Sequence, residues 1–168
     1  MKTSKQWWDE VKNSPEKLTA WLKKQCYGEL MAFQRINELA NKYDNPILLK
    51  IAEQEQQHHL WLVSYLTSMG EMFDMSHEER YWKIVKTEFS SLEEAAAVGH
   101  LAETMRLERI KVISEDTETH PKLSEIFTKI LKDELFHAQA FKSLTTEEQI
   151  ELAKADHVAG MEALGLTI

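Results

Sequence analysis

The sequence predicts an all-α protein built around a four-helix bundle. Apolar residues recur at alternating steps of three and four residues over four long segments, which is the spacing of a buried helix face. No stretch shows the strict alternation that indicates a β-strand. Each of the three prolines can occupy the first turn of a helix, namely Pro15, Pro46 and Pro121. Together these patterns favour helices throughout.

Seven helices are predicted in chain order, bounded by these prolines and by capping patterns. Possible capping boxes pair a hydroxyl residue with a glutamate three residues later, and Gly70 is typical of a helix end. The boxes are Ser76 with Glu79, Ser90 with Glu93, and Thr145 with Glu148. Long helices are expected near 15–42, 46–69, 91–117 and 121–143, and shorter ones near 4–12, 77–88 and 146–163.

The connections between the long helices predict the topology. Short turns join the first long helix to the second and the third to the fourth, so each pair is expected to form an antiparallel hairpin. About 20 residues separate the hairpins, enough for a crossover along the bundle. We expect residues 1–168 to form a single domain, with the core bundle at about 15–143 and a short C-terminal helix at about 146–163.

Composition excludes several classes of function. A net charge of −8 and a pI near 5.4 argue against nucleic-acid binding, which needs a basic face. The single cysteine, Cys26, rules out an internal disulfide and a CxxC metal site. No apolar run approaches the roughly 20 residues that cross a bilayer, and MKTSKQWWDE lacks the apolar core of a signal peptide. We therefore expect a cytoplasmic protein with no membrane partner.

Each long helix carries one carboxylate in the middle of its apolar face. In the second and fourth long helices, a histidine follows the glutamate after three residues, within EQQH and ELFH. His59 points about 100° away from its neighbour His58 and is expected at the surface or beside the ligands. The candidate metal ligands are Glu29, Glu55, His58, Glu103, Glu134 and His137.

Four carboxylates in an apolar core need positive charge near them. A single unpaired buried carboxylate costs several kcal/mol, and four would also repel one another. The four faces contain no Lys or Arg, because Arg35, Arg106 and Arg109 fall beside them. Metal ions are the remaining candidate, and four carboxylates with two imidazoles suit two iron or manganese ions better than zinc.

The two halves of the chain repeat weakly, in two alternative alignments. One superimposes Glu29 on Glu103, since Arg-Ile follows each acid after six residues. The other superimposes Gly28 on Gly99 and therefore Glu29 on His100. A glycine inside a helix costs about 1 kcal/mol relative to alanine, so the two glycines indicate tight helix approach or space for a ligand.

These motifs resemble those of rubrerythrin domains, within the ferritin-like di-iron and di-manganese carboxylate proteins. The resemblance covers roughly residues 15–143 and implies that Glu55 and Glu134 bridge two metal ions. Glu29 and Glu103 would then be terminal ligands, with His58 and His137 each bound to one ion. The sequence departs from the family at His100, which stands where the family has a carboxylate. It also lacks the CxxC pairs of a rubredoxin domain.

The resemblance implies an oxidoreductase that activates or reduces O2 or peroxide at two irons, with manganese as the alternative metal. Electrons would come from an external donor. Three other hypotheses stay open: an oxygenase acting on a small organic substrate, an iron-handling or di-manganese catalase-like protein, and a metal-free interaction bundle. His100 is a candidate ligand or a catalytic proton relay, or it is merely packed. A homodimer is left open as the assembly.

Overall fold

A computed structural model describes residues 2–166 and shows an all-helical protein, as predicted. The described residues contain no β-strand, only an isolated parallel bridge between Lys2 and Leu166. The helices are α1 (Ser4–Lys12), α2 (Pro15–Tyr43), α3 (Pro46–Ser68), α4 (Arg80–Ile84), α5 (Leu92–Glu115), α6 (Pro121–Ser143) and α7 (Glu147–Ala163).

The long helices begin and end within two residues of their predicted bounds, but α4 is much shorter than the predicted 77–88. Its N-cap residue is Glu79, whose side chain makes no capping hydrogen bond. The hydroxyl of Ser76, expected to cap this helix, instead donates to Asp74. Without a cap, the turn before Arg80 stays non-helical.

Two other predicted caps are wrong by one residue. The N-cap of α5 is Ser91, whose hydroxyl accepts a hydrogen bond from the backbone of Glu94, and the Glu94 carboxylate accepts from Ser90. The N-cap of α7 is likewise Thr146, which accepts from Gln149. Adjacent hydroxyl residues at both sites made the two registers equivalent in sequence.

The long helices form two antiparallel hairpins joined by the predicted crossover. The turn between α2 and α3 passes through Asp44, which has a left-handed backbone (φ 47°), and then Asn45, which caps α3. A second hairpin pairs α5 with α6, and residues 69–91 cross between the hairpins and contain α4. Outside this bundle, α7 packs against α4 and α5, and α1 packs against α2 and α5. Among the described helices, none is long and apolar enough to cross a membrane.

The core consists of two apolar layers with a charged layer between them. The first layer includes Leu22, Leu66, Ile113 and Phe127, and the second includes Ile36, Leu48, Ala96 and Phe141. On every long helix, the mid-face glutamate lies in sequence between residues of the two layers. The bundle therefore holds the four carboxylates between two dry apolar regions.

The two glycines that suggested an internal repeat have different surroundings. A Cβ atom built on Gly99 would lie 2.8 Å from the ring of Phe141, so this glycine allows α5 and α6 to approach closely. A Cβ atom on Gly28 would meet no atom within 4 Å. One glycine thus serves tight packing, whereas the other borders open space.

Alanine substitutions should separate these roles. Gly28→Ala is expected to stabilise the protein by up to about 1 kcal/mol, because alanine is the better helix former and meets no neighbour. Gly99→Ala should destabilise the protein. The new methyl group would overpack against buried Phe141, which costs about 1–3 kcal/mol, and this cost exceeds the gain from the higher helix propensity of alanine. Chemical denaturation of both variants measures the difference. Equal effects at the two positions would contradict this description of their packing.

Candidate metal centre

Six of the predicted ligand side chains converge in the charged layer. Each long helix contributes its glutamate, and α3 and α6 each add the histidine one helical turn later. All six side chains are almost fully buried, with Glu103 the most exposed at 4%. The residues brought together are Glu29, Glu55, His58, Glu103, Glu134 and His137.

The six residues form two overlapping groups of candidate ligands. One group consists of Glu29, Glu55, His58 and Glu134, and the other of Glu55, Glu103, Glu134 and His137. Within each group, the candidate ligand atoms lie within 4.8 Å of one another. Glu55 and Glu134 belong to both groups, as bridging carboxylates between two ions would.

Both imidazole rings direct Nδ1 toward the carboxylates. His58 Nδ1 lies 3.5 Å from Glu29, 3.4 Å from Glu55 and 3.6 Å from Glu134. His137 Nδ1 lies 3.4 Å from Glu55 and 3.5 Å from Glu134. Each histidine therefore presents one nitrogen to its own group and to both shared carboxylates.

The opposite nitrogens of the rings are held by hydrogen bonds between α3 and α6. His58 Nε2 lies 2.9 Å from Asp133 Oδ2, and His137 Nε2 lies 3.0 Å from Gln54 Oε1. Because both partners accept, each Nε2 donates, so Nδ1 is the nitrogen that faces the centre and that can bind a metal ion once it is unprotonated. Gln54 also donates to Asp133 at 3.1 Å.

This outer network has a signal in the sequence that the periodicity of the apolar faces does not reveal. Gln54 directly precedes Glu55, as Asp133 directly precedes Glu134, so both helices carry an acceptor immediately before the Glu-x-x-His motif. Each acceptor orients the histidine of the other helix.

The hydrogen-bonding of the site fits metal ligation. Every ligand residue has at least one buried side-chain atom without a hydrogen-bond partner, and these atoms include both inward Nδ1 atoms. Both oxygens of Glu55 and both of Glu134 are among them. Buried polar atoms are rarely left unpaired, and here they concentrate on groups that bind divalent iron or manganese.

The sequence-based view that no cation reaches the carboxylates is wrong, because Arg106 does. Its Nη2 lies 2.5 Å from Glu29 and 3.3 Å from Glu134, and its Nη1 lies 3.6 Å from Glu55 and 3.7 Å from Glu103. Arg106 follows Glu103 by three residues, so its long side chain reaches back along the same side of α5. The spacing of the apolar face does not indicate this reach.

The carboxylates differ in pKa because their surroundings differ. Burial raises the pKa of Glu103 well above its usual range, and the neighbouring Glu134 raises it further. Burial is the largest influence on Glu29 and Glu134 too and would raise their pKa values, but Arg106 and the neighbouring side chains together outweigh it and lower both, that of Glu134 to about 2. Without metal, Arg106 thus favours the ionised forms of two of the acids, whereas burial favours the protonated form of Glu103.

The surroundings also favour the protonated forms of both histidines. Burial alone would lower the pKa of each ring, but attraction to the surrounding carboxylates outweighs it. The carboxylates raise the pKa of His58 to about 12 and that of His137 to about 9. Metal binding must displace these protons, since a ligating imidazole nitrogen is unprotonated.

His100 lies outside both groups, so the geometry does not support a ligand role, while its role as a proton relay stays a prediction. Its Nδ1 lies 2.8 Å from the carbonyl oxygen of Ala138, so it donates a hydrogen bond that links α5 to α6. Because three residues separate them, His100 and Glu103 lie about 60° apart around the axis of α5. Glu103 is thus the counterpart of Glu29, as in the first of the two alignments.

His59 is buried rather than at the surface. Its Nδ1 lies 2.8 Å from the carbonyl oxygen of Cys26.

A cavity of about 920 Å³ lies beside the centre, between α2, α5 and the crossover. Glu103 and Arg106 line it from α5, and Gly28 lines it from α2. Much of the remaining wall is aromatic or aliphatic, including Trp21, Tyr27, Ala32, Ile36, Leu39, Phe89, Val98, Ala102 and Phe141. The open space next to Gly28 is part of this cavity, so one candidate ligand faces a compartment large enough for an organic molecule.

Comparisons with known proteins agree with this architecture. The family model described as rubrerythrin matches residues 21–145. A solved structure described as Protein 43 with aldehyde deformylating oxygenase activity, from Synechococcus, superimposes with a TM-score of 0.78 at 19% sequence identity. The alignment covers 99% of this chain and 88% of that one. This likeness establishes a shared fold. A search of curated proteins gives no match.

Arg106 is expected to compete with metal for the carboxylates. Arg106→Gln should destabilise the metal-free protein by about 3 kcal/mol, because it leaves buried acids without their counter-ion. The same variant should bind ferrous iron at least as tightly as wild type. Denaturation of the metal-free protein and an anaerobic iron titration measure the two effects.

The matched control is Arg35→Gln, since Arg35 forms a partly exposed pair with Glu79 at 2.7 Å. That substitution should lower the free energy of unfolding of the metal-free protein by no more than about 1 kcal/mol and leave the affinity for iron unchanged. Loss of iron binding in Arg106→Gln would show instead that Arg106 positions the ligands for metal.

Proposed function

Since the chain belongs to the rubrerythrin family, we propose that it is an oxygenase that uses a dinuclear iron centre and O2 to oxidise an organic substrate. The observation that carries this proposal is the cavity of about 920 Å³ in direct contact with Glu103 and bordered by Gly28. Reduction of O2 or peroxide alone needs no such compartment, whereas an organic substrate does. The oxygenase activity named for the Synechococcus protein of the same fold is consistent with it.

In this proposal the six buried residues hold two ions. Glu55 and Glu134, common to both groups, would bridge the ions. Glu29 and His58 would complete one site, and Glu103 and His137 the other. We favour iron over manganese because an oxygenase must exchange electrons with O2 at its metal centre.

The surrounding residues prepare the site for metal and substrate. Asp133 and Gln54 keep the Nδ1 atoms of both histidines directed inward. Arg106, whose side chain is 22% exposed, can release the carboxylates by turning toward the cavity that it lines. The apolar wall binds the carbon skeleton of the substrate beside Glu103 and limits the access of water to it. The bound irons supply the redox chemistry with O2.

Electrons for the reaction come from an external donor in this proposal. The chain has one cysteine and therefore cannot build the four-cysteine iron site of a rubredoxin domain. Peroxide reduction remains the alternative prediction for the same ligands, and it would use the cavity only for access. Both reactions require a reduced metal centre, so the substrate distinguishes them.

The test measures O2 consumption by the reduced, iron-loaded protein with a panel of organic compounds containing aldehydes, carboxylic acids and alcohols. We expect at least one compound to accelerate O2 consumption and to yield a product that carries label from ¹⁸O2. Gly28→Leu, which narrows the cavity, should reduce this acceleration while retaining the metal. The control is Gln34→Leu, on an exposed position of α2.

A different outcome would favour the alternative. If no compound accelerates O2 consumption, and hydrogen peroxide is turned over equally well by wild type and Gly28→Leu, the protein is a peroxide reductase and the oxygenase proposal is wrong.

A further inference from the structure

Arg109 is a half-buried cation in the cavity wall with no acidic partner among residues 2–166. Its guanidinium forms none of the ion pairs or hydrogen bonds of the described structure, and its buried Nε lacks any partner. Its one close polar contact is with an aromatic face, since Cζ lies 5.0 Å from the centre of the Trp7 ring. Buried polar atoms of a cation normally have a partner, so the unpaired Nε of Arg109 needs an explanation.

The surroundings of Arg109 add positive charge. Arg80, the first residue of α4, lines the same cavity and likewise forms no ion pair within the described residues. Burial, together with repulsion from Arg80, lowers the pKa of Arg109 to about 10. By contrast, Arg35 in the same wall is paired with Glu79 and packs against Trp82. Among the described cations of this wall that form no ion pair, Arg109 alone is half-buried, whereas Arg80 and the lysines Lys17, Lys24 and Lys42 are exposed.

The polarity of the cavity changes along α5. On one side of Glu103, the α5 wall consists of small and apolar residues, namely Ala95, Val98, Gly99 and Ala102. On the other side, it consists of Met105, Arg106 and Arg109. Arg109 lies about 9 Å from Glu103 along the helix axis, six residues at about 1.5 Å each. The candidate metal centre thus faces the cavity between an apolar end and a basic end.

We propose that Arg109, with Arg80, binds the acidic head group of the organic substrate, a carboxylate or a phosphate. This inference rests on the proposed function, because it specifies the substrate of the same cavity as an amphiphilic acid. Its carbon chain would extend from Arg109 past Glu103 toward the apolar wall around Val98. The carbon that reacts would then lie along the chain, several atoms from the head group.

Charge-assisted hydrogen bonds to a bound acid would compensate the unpaired charge of Arg109. Guanidinium groups bind carboxylate and phosphate with two parallel hydrogen bonds, and the low dielectric of a partly buried site strengthens them. Without ligand, the unpaired charge costs stability. Arg109 is therefore expected to favour binding at the expense of folding.

The test compares three ligands that share an eight-carbon chain: octanoate, octyl phosphate and 1-octanol. Binding to the iron-loaded protein is measured by calorimetry without O2, so that no turnover occurs. We expect octanoate or octyl phosphate to bind about tenfold or more tightly than octanol, as one charge-assisted hydrogen bond predicts. The tighter of the two acids identifies the head group.

Substitutions show which residue gives the preference for acidic ligands. Arg109→Gln should abolish the preference for the acid, leaving octanol binding unchanged, and should unfold at the same or a higher temperature than wild type. Arg109→Lys should restore part of the preference through charge alone. Lys24→Gln, which removes an exposed positive charge from the same cavity wall, should retain the full preference.

Three outcomes would overturn the inference. Equal binding of octanol and the acids by wild type would show that the cavity selects no head group, while the proposed oxygenase would survive. An unchanged preference in Arg109→Gln would show that the acid binds elsewhere, for example at the metal ions. If wild type binds none of the three compounds, this inference is wrong. The labelling experiment with ¹⁸O2 then decides separately whether the protein oxidises an organic substrate.

Discussion

The structure depends on compensating four carboxylates that the bundle buries between two apolar layers. Neither layer supplies positive charge, so compensation must come from within the charged layer itself. Without metal, it comes from the guanidinium of Arg106 and from the raised pKa values of His58, His137 and Glu103, which favour their protonated forms. Two divalent ions would replace all of these at once. The metal-free protein thus holds in place, by weaker interactions, the ligand arrangement that metal requires.

The symmetry of the two hairpins explains how this arrangement is maintained. Gln54 on α3 orients His137 on α6, and Asp133 on α6 orients His58 on α3. Because each acceptor lies next to a shared glutamate, the same backbone segment fixes a bridging carboxylate and the opposite histidine. Glu29 and Glu103 lie on the other two helices, where the cavity opens next to Gly28 and Glu103. The rigid side of the centre therefore consists of α3 and α6, and the accessible side of α2 and α5.

Sequence patterns predicted the features that follow from helix periodicity. Glu29, Glu55, Glu103 and Glu134 recur at the spacing of a buried helix face, and each histidine three residues after its glutamate lies on the same side of the helix.

Features that depend on side-chain reach were not predictable from helix periodicity. Arg106 lies beside the apolar face and enters the site only through its length. His100 shares an approximate face with Glu103, yet its hydrogen bond to Ala138 was hidden in the packing of α5 on α6. The cavity depends on three segments distant in sequence, so no local pattern marks it.

The most direct test of this account is the number of ferrous ions that the metal-free protein binds without O2. Two overlapping ligand groups predict saturation at about two ions per chain, with Glu134→Ala losing both because its carboxylate belongs to both groups. Glu29→Ala should weaken mainly the site that includes His58. Saturation at one ion or fewer in wild type, or full binding by Glu134→Ala, would contradict the dinuclear centre.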